Sequence, residues 1–175
     1  MLYSKNRRIV DELIVECNEA LFNHYEVALR HTPGKTREEI WEEDLVLAGI
    51  IGFTSGPMRG SLVLGIGQKP LEAFDATAGS HRDWIQELAN QLLGRMKNRF
   101  LAYGVDMQMT TPLSMRGLHL VLEPNAQEAA PMLFHTPDGG AVCVLFDVEF
   151  QPGFELVKQS GEENAVPDEG ELLLF

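Results

Sequence analysis

Two kinds of hydrophobic spacing alternate along the chain, and together they predict its elements. Between Ser80 and Tyr103, Trp84, Leu88, Leu92, Met96 and Phe100 recur every fourth residue, and Ile85, Ala89 and Leu93 widen the stripe. That is the spacing of an amphipathic helix resting on a core, here over residues 82–102. Ser80 followed by Asp83 supplies the chemistry of its capped start. A second helix is predicted over Arg7–Leu29 from Ile9, Val10, Leu13, Ile14, Cys17, Ala20, Leu21 and Tyr25, with His31-Thr32-Pro33-Gly34 ending it. Lys35–Asp44 is charged around Ile40 and Trp41, a short helical or irregular connection whose Trp packs back on the body.

Elsewhere the apolar residues form short runs bounded by turn residues. Leu45–Phe53 and Ser61–Ile66 flank a Gly- and Pro-containing turn at 54–60, which predicts two strands joined tightly. Lys69–Gly79 connects this hairpin to the long helix. Beyond it, Val105, Met107 and Met109 alternate with polar residues, Leu118–Leu122 and Met132–His135 are short apolar pieces, and Ala141–Phe150 is the clearest late strand, preceded by the turn Pro137–Gly140. Helix, hairpin, helix and further strands make an α+β domain: two long amphipathic helices packed on a mixed or antiparallel sheet. The order also reads as an imperfect internal duplication of helix and hairpin. From Gln151 onward the composition turns acidic and rich in Pro and Gly, so residues 1–155 are assigned to one domain and 156–175 to an acidic, loosely ordered tail.

Composition narrows the function. The chain of 175 residues carries 26 acids against 14 bases, a formal net charge of −12, which argues against nucleic acid or an anionic membrane as its target. Cys17 and Cys143 both fall in apolar stretches, the setting of buried free thiols, so neither a disulfide framework nor a zinc site is indicated. No segment has the apolar length of a signal peptide or membrane span, and a cytoplasmic location is expected. His24, His31, His81, His119 and His135 are scattered without metal-ligand spacing, and no phosphate-binding loop or nucleophile elbow occurs. A free-standing hydrolase would need a nucleophile or metal that this chain lacks.

The remaining chemistry lies on the polar side of the 82–102 helix. At about 100° per residue the stripe centres on Ile85, and Asp83, Glu87, Asn90 and Gly94 fall together on the opposite side, within roughly 60° of one another. A solvated helix face is the ordinary account of a Glu and an Asn at this spacing. Asn is a mediocre helix former, however, and a Gly inside a helix costs on the order of 1 kcal/mol relative to Ala. A face chosen for solubility would carry Glu, Lys or Gln instead. Gly94, one turn past Asn90, removes bulk beside an outward amide and lets another backbone approach.

The pattern Asp83, Glu87, Asn90, Gly94 and then Pro112 resembles the signature of the CheC/CheX/FliY chemotaxis phosphatases. The resemblance is to the CheX-like branch, with one motif helix. Asp11, Val15 and Asn18 repeat the spacing on the first helix with Val in place of the Glu and Phe22 in place of the Gly, so a single live site is expected. The resemblance implies a CheC-like fold, a homodimer joined through sheet edges, and dephosphorylation of the aspartyl-phosphate of a CheY-type receiver in chemotaxis. The receiver brings the phosphoryl group, the Mg²⁺ and a Lys, so this chain needs no cofactor or metal of its own. Phosphoryl transfer depends on positioning and electrostatics, and an amide can hold water in line with the breaking P–O bond. The resemblance gives that role to Asn90, and to Glu87 the pairing with the receiver's Lys. Asp83 is either a partner contact or an acid placed to suit the helix dipole. Pro112 shapes the strand end beside the helix. The alternative is a non-catalytic adaptor that docks a receiver or another signalling protein through the same helix.

Overall fold

The computed structural model describes residues 2–74, 80–126 and 128–159. In order these form α1 (Leu2–His24), β1 (Arg30–His31), α2 (Arg37–Trp41), β2 (Leu45–Thr54), β3 (Met58–Gly67), α3 (Gln68–Phe74), α4 (His81–Leu101), β4 (Gln108–Met109), β5 (Leu113–Arg116), β6 (Met132–His135) and β7 (Ala141–Phe150). The seven strands make one sheet in the order β1-β6-β7-β3-β2, with β4 and β5 sharing the far edge of β2. Every recorded pairing is antiparallel. The α+β expectation with two long helices on a sheet is met.

Strand alternation explains the layering, because successive side chains point to opposite faces. On β7, Val142, Val144, Phe146 and Val148 join the main core, while Cys143 and Leu145 join a second cluster on the other face. The main core lies under α1 and α4, which pack side by side, α1 over β7 and α4 over β2, β3 and β5. Its centre includes Phe53 stacked on Phe146 at 4.6 Å, with Phe100 of α4 6.1 Å from Phe146. The second cluster takes in Ile40 of α2 together with Leu122 and Ala129 from the segment after β5. Both cysteines are buried and free. Burial pushes the Cys17 thiol up to about 11 and the Cys143 thiol up to about 12, which leaves both protonated and unreactive near neutral pH.

Several boundaries differ from the sequence reading. The first helix ends at His24, not Leu29, although apolar residues continue at helical spacing. Val27 N–H donates to the Phe22 carbonyl and Glu26 N–H to that of Asn23, with Glu26 itself at φ 60°, so the chain turns off in a Schellman motif built without glycine. It then reaches β6, where Arg30–His31 add a short edge strand. The hairpin turn is confined to Ser55–Pro57, because buried Met58 already pairs with Phe150. Leu118–Leu122 is not a strand. Leu113–Arg116 is one instead, held on β2 with Leu113 and Met115 exposed. Of the connection at 69–79, α3 accounts for the first part and 75–79 lie outside the described residues. In the connection at 35–44, Thr36 and Glu39 form a capping box for α2, Ile40 is the buried anchor and Trp41 is half-buried.

The start of the expected tail lies against the body. Asn6 binds both sides of this segment, donating to the Phe154 carbonyl at 2.9 Å and accepting from Leu156 N–H at 2.8 Å, and Leu156 is buried. Gln159 N–H donates to the Ala102 carbonyl at 2.8 Å. Residues 160–175 lie outside the described residues.

The repeat of the polar pattern on α1 has a different fate from the one on α4. Asp11 is tied to Arg7 at 2.7 Å, and Arg7 in turn donates to the Phe146 carbonyl at 2.9 Å. Burial raises the Asp11 pKa, opposed by the Arg7 charge. Asn18 is fully buried, and neither end of its amide has a hydrogen-bond partner among the described residues. A residue so placed cannot meet another protein.

Two stability predictions follow from this packing. A Cβ at Gly49 of β2 would stand 2.6 Å from the Ile85 carbonyl oxygen and 2.9 Å from the Ala89 Cβ, so α4 sits on the sheet through a glycine. Gly49→Val should destabilise the protein by about 1–3 kcal/mol or more, read as a lower urea midpoint. Asn18→Leu, which replaces an unpaired buried amide with an apolar group of similar size, should raise the same midpoint by about 1 kcal/mol equivalent. A lower midpoint would mean that the amide is satisfied by buried water.

Candidate functional site on helix α4

The site helix begins where its sequence dictates. Ser80 caps it by accepting from Asp83 N–H at 3.2 Å, and Trp84 N–H donates to the Ser80 carbonyl at 3.1 Å. At the other end Gly104, at φ 70°, closes a Schellman motif in which Val105 N–H donates to the Phe100 carbonyl at 3.1 Å. Between these stops Ile85, Leu88, Ala89, Leu92, Leu93, Met96 and Phe100 are buried. Trp84, expected in the core, is only half-buried at the rim.

On the outward side Asp83, Glu87 and Asn90 are exposed. Gly94 continues this strip, and a Cβ built on it meets nothing within 4 Å. The four positions therefore lie on one accessible face of a rigid helix, and the space beside Asn90 is open. Pro112 is half-buried in the link between β4 and β5. That link spans a break in the edge of the sheet. Before it β4 pairs with Phe53 and Thr54, and after it β5 pairs with Leu47–Ile50. Thr110 bridges the break, its N–H donating to the Gly52 carbonyl at 2.9 Å and its hydroxyl accepting from Gly52 N–H at 3.0 Å. β5 is held beside the helix by Gln86, whose amide donates to the Ser114 hydroxyl at 3.4 Å.

Two residues not singled out from the sequence join this face. Gln91 Nε2 donates to Glu87 Oε1 at 2.8 Å, and Tyr25, just past the end of α1, donates its hydroxyl to Gln91 Oε1 at 3.0 Å. The spacing of Glu87 and Gln91 is that of helix neighbours and was available to sequence reasoning. The approach of Tyr25 depends on how α1 and α4 pack and left no local signal.

Two basic residues toward the end of the same helix are engaged within the molecule: Lys97 pairs with Asp106 at 3.4 Å and Arg99 with Glu16 of α1. Among the described residues no cluster of His, Cys, Asp and Glu is arranged to hold a metal ion, and no helix is long and apolar enough to cross a membrane. The chemistry on offer is thus a carboxylate and an amide one turn apart, both facing outward. Such a pair can accept from a cation and orient a water, but it contains no nucleophile of its own.

No protein-family model matches the chain, and no curated protein does. Solved structures do. The chemotaxis protein CheX of Vibrio vulnificus is 16% identical, with a TM-score of 0.63 over 80% of this chain and 95% of that one. A CheC-like chemotactic protein of Shewanella oneidensis is 18% identical, with a TM-score of 0.56 over 76% and 95%. A chain in the CheX–CheY–BeF3–Mg²⁺ complex of Borrelia burgdorferi is 13% identical, with a TM-score of 0.60 over 79% and 96%. Carried across nearly the whole of each of those chains, the match establishes that this chain has the fold of the CheX and CheC-like chemotaxis proteins.

Proposed function

We propose that this chain dephosphorylates the aspartyl-phosphate of a CheY-type receiver. The observation that carries the reading is the exposure of Glu87 and Asn90 on one face of α4, with open space at Gly94 beside them. The Borrelia burgdorferi complex, in which a protein of this fold is found with CheY, BeF3 and Mg²⁺, favours the same class of partner. In the proposed reaction a water attacks phosphorus in line with the bond to the receiver's aspartate. That P–O bond breaks, its electron pair stays on the aspartate carboxylate, and the water's oxygen and both its protons leave as dihydrogen phosphate, which releases a proton to solvent. The Asn90 amide holds the water. Glu87 pairs with the receiver's active-site Lys and sets the register of docking. Asp83 extends the contact surface and Gly94 admits the partner's backbone, while Mg²⁺ comes from the receiver.

Self-association belongs to the same reading. β5 has no second strand partner among the described residues, and Leu113 and Met115 on it are 65% and 52% exposed. Strand edges of this kind are covered in stable proteins, and pairing two copies through β5 would cover this one. Light scattering at micromolar concentration should report a dimer, and Met115→Lys should shift it toward monomer. A wild-type monomer would overturn this part.

The division of labour is testable. Asn90→Ala should reduce receiver dephosphorylation by about a hundredfold or more, the usual scale for losing a positioned group in the transition state, while binding to a beryllofluoride-loaded receiver stays nearly unchanged. Glu87→Ala should weaken both, because it leaves the partner's Lys unpaired, at a cost of about 2–5 kcal/mol in docking. Wild-type turnover by Asn90→Ala would overturn the mechanism. Tight binding without accelerated phosphate release by the unmodified protein would leave an adaptor instead of a phosphatase.

A further inference from the structure

We propose that Tyr25 and Gln91 are positioning residues that hold Glu87 ready for its partner, an inference that rests on the receiver reading above. Glu87 stands on an exposed helix face, where a carboxylate on two methylenes samples several rotamers. A Gln one turn away restrains it only weakly, since side-chain pairs at this spacing are transient on an isolated helix. What distinguishes this pair is its tether to a second element. The Tyr25 hydroxyl reaches Gln91 Oε1 at 3.0 Å from just past the end of α1, and Gln91 Nε2 reaches Glu87 Oε1 at 2.8 Å.

The polarity of the chain is fixed by its acidic end. An ionised carboxylate can only accept, so the Gln91 group facing it must be the NH₂. That turns the amide oxygen toward Tyr25, whose hydroxyl then serves as the donor. Each bond polarises the next, as in other hydrogen-bond chains. Reversal of the amide would face its oxygen against the carboxylate and lose the bond to Glu87, leaving the Tyr25 hydroxyl to accept from the amide instead. Gln91 engages one Glu87 oxygen, and no described residue pairs with the other. A receiver Lys would meet a carboxylate already held in place.

Tyr25 is in turn well anchored. Its ring is half-buried and lies edge-on to that of His24 at 5.3 Å. Its backbone belongs to the turn that ends α1, where Tyr25 N–H and Val27 N–H both donate to the Phe22 carbonyl at 3.0 Å. The helix end that looks incidental to the site thus places one atom of its support.

The test combines docking, turnover and an internal probe in the full chain. Tyr25→Phe removes one oxygen and keeps the ring. It should weaken binding to a beryllofluoride-loaded receiver by about threefold to tenfold, the scale of one lost hydrogen bond, and raise KM more than it lowers kcat. Gln91→Glu sets a like charge against Glu87 and should cost about tenfold or more, with the loss easing as salt rises. In a Gln91→Ala background Tyr25→Phe should have no further effect. The side-chain amide resonances of Gln91 in the isolated protein should shift in both Tyr25→Phe and Glu87→Ala. Unchanged affinity in Tyr25→Phe, or additive effects of Tyr25→Phe and Gln91→Ala, would overturn the relay, as would Gln91 resonances indifferent to both changes. Resonances that respond in a protein with no affinity for any receiver would instead overturn the receiver reading and, with it, the role assigned to the relay.

Discussion

The close seat of α4 on β2 sets the geometry of everything on the exposed face. Gly49 lets the Ile85–Ala89 turn of the helix press directly on the strand backbone. Once that distance is set, the buried stripe from Ile85 to Phe100 locks the rotation of the helix, because turning it would drag Leu88, Leu92 and Met96 out of the core. The direction of Glu87 and Asn90 is thereby decided from below. The nearest obstacle to a side chain at 49 is a main-chain oxygen, so no smaller neighbour could make room for one.

The two long helices show how one repeated pattern is put to two uses. On α4 the Asn turns outward and the position one turn on is a glycine with open space around it. On α1 the corresponding Asn18 and Phe22 are both fully buried. The difference lies in the remaining polar residues of α1. Asn6 and Arg7 reach backbone carbonyls of Phe154 and Phe146, so this part of α1 is used to fasten β7 and the segment that follows it. The exposed polar residues of α1, Arg8, Glu12 and Glu16 among them, lie off the flank that carries Asn18.

Helix α4 was legible in the sequence almost to the residue, since its stripe, its Ser80 cap and its opposed polar strip all state the same thing. The same holds for β2 and β7, whose apolar runs are long, whereas β3 begins at Met58, ahead of the apolar run read from Ser61. Elements decided by contacts distant in sequence were not legible. The end of α1 continues the apolar spacing past His24, and only its Schellman turn and the pairing of Arg30–His31 with β6 cut it short. β5 was missed although Leu113–Arg116 alternates apolar and polar residues, because the run is only 4 residues long and its place as an edge strand is decided by pairing with β2. The order of strands, with β7 inserted beside β3, follows from sheet assembly and leaves no local trace. The outward placement of Glu87, Asn90 and Gly94 on α4 could be read from helix geometry alone. Tyr25 could not, as its place beside Gln91 is a product of packing between α1 and α4.

Glu26 carries a cost that the rest of the molecule tolerates. It holds a left-handed conformation at φ 60°, where a side chain is disfavoured by roughly 1–2 kcal/mol and glycine or asparagine would be at ease. Its side chain is exposed and supplies none of the bonds that close the turn. The fold therefore holds unused stability at the residue next to Tyr25, separable from the chemistry of α4. Breeding a hardier version of this protein could begin there, one position from Tyr25 and without altering a single group on the exposed face of α4.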